Sequence, residues 1–146
     1  MTSYSVIYDA FLSKILEDEW ENWLIEEAEA DWRQILEAAI PWFKFPRISL
    51  ERDDNGFLDN LTQAEIQILA NFMKCEWLNR CIMTWENVKP LYVERDFSQA
   101  NLLDKLNSTL KMEKANAKEL ESIYYRSRSG KPFNYSKLAS RVSNEN

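Results

Sequence analysis

Apolar residues along this chain recur at helical intervals, and four amphipathic stretches stand out. From Ser5 to Leu16, Ile7, Phe11 and Ile15 repeat at i, i+4, i+8, which places them on one helix face. A second stripe of Ile25, Ala28, Trp32, Ile35, Leu36, Ala39 and Ile40 predicts a helix from about Trp23 to Ile40. Glu26, Glu27, Glu29, Arg33 and Glu37 take its other faces, and Pro41 ends or kinks it, because proline disfavours helical geometry at the residue before it. The acids of the weak breaker EDEWE (17–21) suit the start of this helix, where they meet the positive end of its dipole.

The third helix has the clearest start. Thr62-Gln-Ala-Glu65 reads as a capping box, with the Thr62 oxygen bonding the third helical amide and Glu65 reaching back to the cap amide. Leu61 and Ile66 supply the accompanying hydrophobic staple. Ile66, Leu69, Ala70, Met73, Trp77, Leu78 and Cys81 then share a face as far as about Trp85, which marks the central core helix. The fourth helix is expected from about Ser98 to Tyr125. Leu103, Leu106, Leu110, Ala117, Leu120 and Tyr124 alternate near 3-4 spacing, interrupted only by Glu113. At ~40 Å it is longer than so small a core needs, and one end is expected to pack on another chain.

Between the helices, Pro41-Trp-Phe-Lys-Phe-Pro46 fits either a kinked last turn or an extended aromatic plug. Residues 47–60 are irregular: Asp53-Asp-Asn-Gly56 is turn chemistry, and Ile48 and Leu50 suit a short strand or hairpin arm. Residues 87–96, with Pro90, read as a loop. The expected fold is an all-α bundle of about four helices spanning 1–125, followed by a basic, flexible C-terminal arm at 126–146.

Composition agrees with helices. Two Gly and four Pro in 146 residues leave little turn material for a sandwich of many short strands. No run of ~18 apolar residues occurs and the N-terminus lacks a signal-peptide pattern, so no membrane partner is expected. Cys75 and Cys81 lie on one predicted helix ~9 Å apart along its axis, too far for an unstrained bridge, which predicts free thiols in a reducing cytosol. Histidine is absent, removing the commonest general base and zinc nitrogen ligand. No enzyme activity, metal or cofactor is expected.

Charge is unevenly placed. Residues 1–60 hold fourteen acids and five bases, while 111–146 hold four acids and eight bases, within a net charge of −6. Such a split suits contact between neighbouring copies, or one face for protein and another for something anionic; solvated helix faces are the plainer reading. The paired carboxylates of 17–31 read as a solvated face rather than acid–base machinery. The loop from Glu51 brushes calcium-loop spacing through Asp53, Asn55 and Gly56. Its first position is Glu and its twelfth is Thr62, already used as a cap, so a solvated turn is the better reading.

Six tryptophans are many for this length. Trp32 and Trp77 sit on core stripes; Trp20, Trp23, Trp42 and Trp85 lie at helix ends or edges, where tryptophan often marks an interface. The C-terminal stretch interleaves bases and aromatics: Tyr124, Arg126, Arg128, Lys131, Phe133, Tyr135, Lys137 and Arg141. That composition grips single-stranded nucleic acid or docks on an acidic neighbour, and the acidic chain as a whole favours the latter.

The block ISLERDDNGFLDNLTQAEIQILANFMKCEWL, the later ERDFSQANLLDKL and the opening SYSVIYDAFLSKI resemble a family of small virion proteins from tailed bacteriophages, over most of residues 3–110. The shared features are Arg52-Asp53-Asp54, the run from Leu61 to Leu78, and Asp96 to Asn101. The resemblance implies a head–tail connector or adaptor of the virion neck: a homo-oligomeric ring, expected as a dodecamer, bound to the portal protein and to the next neck or tail protein. The C-terminal arm would meet either packaged DNA or a neighbouring protein, with the host cytoplasm as the site of assembly. Residues 20–45 and those after 125 depart from the family pattern, and these are the stretches that would choose a neighbour. The alternative expectation is an acidic phage-encoded inhibitor that mimics DNA and binds a host nucleic-acid enzyme.

Overall fold

A computed structural model describes residues 1–15, 19–88 and 96–126, with side chains for 1–15, 19–86 and 102–126. Four α-helices form the body: α1 (Tyr4–Leu12), α2 (Ile25–Ala39), α3 (Gln63–Val88) and α4 (Asp96–Arg126). A 3-10 turn, Ile40–Trp42, extends α2. Two short strands, β1 (Thr2–Ser3) and β2 (Gly56–Phe57), pair antiparallel. The all-α bundle read from the apolar pattern is thus the fold, with α1 ending before Leu16 and α4 running a little past both expected ends. No helix among the described residues is long and apolar enough to cross a membrane.

α3 is the hub, and it packs against α1, α2, α4 and the 3-10 turn. Burial wraps nearly all round it: Ile66, Leu69, Ala70, Met73, Trp77 and Leu78 are covered on the expected stripe, and Ile68, Phe72, Cys75 and Ile82 on other faces. A helix covered on most sides has no need of a single apolar stripe. α4 follows a different rule. Leu110, Ala117 and Tyr124 are buried at seven-residue intervals, with Leu120 half-buried among them and Leu106 and Leu103 half-buried one and two turns before them. That 3-4 alternation is the seam by which one helix lies along another at a shallow angle.

The start of α3 is capped as expected. Glu65 Oε1 accepts the Thr62 amide at 2.8 Å and the Thr62 hydroxyl at 2.7 Å, while the Glu65 amide donates to Thr62 Oγ1 at 3.5 Å. Leu61 and Ile66, the expected staple, are both buried. The strand lies elsewhere than expected. Ile48 and Leu50 pack half-buried against the core, and it is Gly56–Phe57 that pairs with the N-terminus. Asp53 Oδ1 accepts the Asn55 and Gly56 amides, so the carboxylate is used by the turn itself. Cys75 is a buried free thiol and Cys81 is half-buried. Burial pushes the Cys75 thiol up to about 11, which keeps it protonated and unreactive.

Candidate functional site

The side chains free to meet a partner are set by which aromatics the core takes in. Trp20, expected at an edge, is in the core. It packs edge-on against Phe11 and Trp32, and its Nε1 donates to Asp31 Oδ2 at 2.7 Å. The correction is physical: an indole whose N–H finds a carboxylate can be buried whole. Asp31 is held in turn by Arg80, whose guanidinium bonds both of its oxygens at 2.7 and 3.0 Å. Burial alone would raise the Asp31 carboxyl, but the hydrogen bonds from Arg80 and Trp20 outweigh it and hold it below its ordinary value. Glu19 accepts the Trp77 Nε1 at 2.8 Å and lies 3.5 Å from Arg80. Two of the acids read as solvated are therefore structural.

Anchoring Trp20 ejects the residues that follow. The Trp23 amide turns back to the Trp20 carbonyl, and Leu24 adopts extended backbone before α2 begins. Trp23, Leu24 and Ile25 are left 43%, 69% and 63% exposed, three consecutive large apolar side chains facing water. Ile25 was expected on the core stripe. It lies in the first turn of α2, and Ala28 is the first buried residue of that helix. Glu21, Glu26 and Glu27 rim this patch and are exposed.

A second patch forms at the other end of α2. In the proline-bracketed segment Phe43 is the plug, buried edge-on against Tyr124. Trp42 stays 49% exposed while its Nε1 donates to Glu76 at 2.7 Å. Phe45 is 71% exposed and packs edge-on against the exposed ring of Tyr125. Tyr124, expected at an interface, is instead buried. Its hydroxyl accepts the Arg47 amide at 2.7 Å and donates to Glu65 Oε2 at 3.0 Å. Glu65 is almost wholly buried, and with this bond both of its oxygens are engaged. The seven-residue seam places Tyr124 inward in the sequence too, but the capping carboxylate it meets is 59 residues away and leaves no local signal.

Trp85 is half-buried near the end of α3, and Arg126 is exposed at the end of α4. Arg128, Lys131, Phe133, Tyr135, Lys137 and Arg141 lie outside the described residues.

A polar recess of about 570 Å³ is lined by Arg33, Glu37, Glu51, Arg52 and Leu58. Three of its four charges are already paired with one another. Arg52 grips both oxygens of Glu37, Arg33 Nε donates to Glu37 at 2.8 Å, and the Arg33 guanidinium sits 4.0 Å over the Tyr4 ring. The bonds from Arg52 and then Arg33 hold the Glu37 carboxyl down at about 2, against the cost of its partial burial. This is a clamp joining α2 to the 50–58 loop, with two cations facing two acids and no net charge to recruit a ligand.

No family model, curated protein or solved structure matches this chain.

Proposed function

We propose that the chain is a structural subunit of a tailed-phage particle, a head–tail adaptor that joins copies of itself in a ring between portal and tail. The observation that carries this reading is the pair of exposed apolar patches, Trp23–Ile25 and Trp42/Phe45/Tyr125, held on one helical body. Exposed large apolar side chains that lie together mark protein contacts. Of the motifs that resemble the phage family, the run from Leu61 to Leu78 lies largely inside: Leu61, Ile66, Ile68, Leu69, Met73, Trp77 and Leu78 are all buried. The apolar patches fall mainly in 20–45, the stretch that departs from the family pattern. A shared core with a private surface suits a subunit whose neighbours differ from one particle to another. The carboxylates of Glu37, Glu65 and Asp31 are each tied into internal bonds, which supports a role without catalysis.

The test is assembly. Mixed with the purified portal protein, the chain should form a ring visible by electron microscopy and mass photometry, and purified particles should contain it in stoichiometric amount. A monomer that ignores every virion protein would remove this reading. The exposed acids Glu21, Glu26, Glu27 and Glu29 favour the DNA-mimicking inhibitor as second reading. Absence from purified particles, with binding to a host nucleic-acid enzyme, would select it.

A further inference from the structure

The patch at the start of α2 combines two properties that together define its occupant. Trp23, Leu24 and Ile25 offer apolar surface, and Glu21, Glu26 and Glu27 surround it with negative charge. A fitting segment must bring aromatic or aliphatic side chains flanked by cations. Residues 127–146 have that composition: Phe133 and Tyr135 between Lys131 and Lys137, with Arg128 and Arg141 outside them, four bases against one acid.

We propose that residues 127–146 of one copy dock on the acid-rimmed patch Trp23–Ile25 of the next copy, a head-to-tail contact that deepens, and rests on, the ring reading above. Two physical arguments place the contact between copies. First, the patch cannot pair with itself across a two-fold axis, since Glu21, Glu26 and Glu27 would face their own copies. A head-to-tail contact between unlike surfaces is what closes a ring. Second, α4 ends beside Phe45 and Arg47, at the end of α2 far from Trp23. α2 has 15 residues and so spans ~22 Å. The seven residues from Arg126 to Phe133 cover at most ~25 Å fully stretched, so Phe133 reaches its own copy's patch only at full extension, a loss of conformational entropy that a contact between copies avoids.

The experiment places a benzophenone amino acid at position 24 of a 15N-labelled full-length chain. This is mixed with unlabelled wild type at low salt, both free and bound to portal, then irradiated and digested for mass spectrometry. The expected product joins the labelled patch peptide to an unlabelled peptide from 127–146. Reversing charge in the unlabelled copy (Arg128→Glu, Lys131→Glu, Lys137→Glu) should lower that yield about tenfold, and added salt should do the same to the wild type. Reversing the patch as well (Glu21→Lys, Glu26→Lys, Glu27→Lys) should restore it. Products confined within a labelled chain, attachment outside 127–146, or indifference to charge reversal would each overturn the inference. Rings on the portal that give no such product would sink the docking alone and leave the ring reading standing. Failure to form rings at all would sink the ring reading.

Discussion

The hydroxyl of Tyr124 links three segments that are distant in sequence, taking the Arg47 amide and giving to the Glu65 carboxylate. Tyr124→Phe keeps the ring against Phe43 but strands a buried carboxylate oxygen and a backbone amide. It should cost ~1–3 kcal/mol, read as a lower urea midpoint at unchanged slope. A midpoint equal to wild type would show that water replaces the hydroxyl. Glu37 gives the complementary experiment in pH. Arg52 holds its carboxyl down from 4.5 to about 2, so the folded state keeps the proton off where the unfolded chain takes it up. Its stabilising contribution is fully present above about 4.5 and is lost as pH falls through about 2. Asp31 is lowered in the same direction, so wild type alone cannot isolate Glu37. Glu37→Gln should flatten the dependence of unfolding free energy on pH in that window, and an unchanged slope would place the effect elsewhere.

At the scale of elements, the α3–α4 seam was legible in the sequence except at Glu113. Leu103, Leu106, Leu110, Ala117, Leu120 and Tyr124 carry the 3-4 spacing, and Glu113 reads as a break in it. In the structure Glu113 keeps the inward position and meets Lys74 of α3 at 3.0 Å, with both side chains mostly covered. The break is a partnership that only the packed pair reveals. Burial and repulsion by Lys74 hold the Lys14 ammonium below its ordinary value, and Glu113 offsets part of that. Glu113→Leu alone should therefore destabilise by ~1–3 kcal/mol, because Lys74 stays in the seam without its counter-ion and nearer in effect to Lys14. Lys74→Met with Glu113→Leu should return to wild-type stability or exceed it, since apolar residues can replace a covered ion pair without loss. A double variant as weak as the single would sink this account of the seam.

For the whole molecule, local patterns revealed the helices but not how the chain's ends are tied to its middle. Periodicity sees neighbours a few residues apart, which is why the α3 cap and the core stripes were readable. Trp20 reads from the sequence as an edge residue because its partners, Phe11, Trp32 and Asp31, sit on other segments. The pairing of the N-terminus with 56–61 is longer in reach still. Thr2 and Ser3 pair with Phe57 and Gly56, Thr2 Oγ1 takes the Leu61 amide at 2.8 Å, and the terminal amine donates to Asn60. Leu61 directly precedes the α3 cap, so this pairing ties α1 to the start of the hub helix. Gly56 is what permits it: a Cβ there would lie 2.2 Å from the Thr2 carbonyl oxygen and 3.0 Å from Ser3 Cα. Those are backbone atoms, so no side-chain rotation relieves the contact. Gly56→Ala should therefore push β1 off β2 while leaving the α3–α4 seam intact. Amide exchange should speed at Leu61, whose amide bonds Thr2, and stay slow at the core of α3 around Leu69 and Met73. Uniform acceleration across α3 would mean that the N-terminal pairing and the helical body open together, and that the glycine secures the whole fold rather than one strap across it.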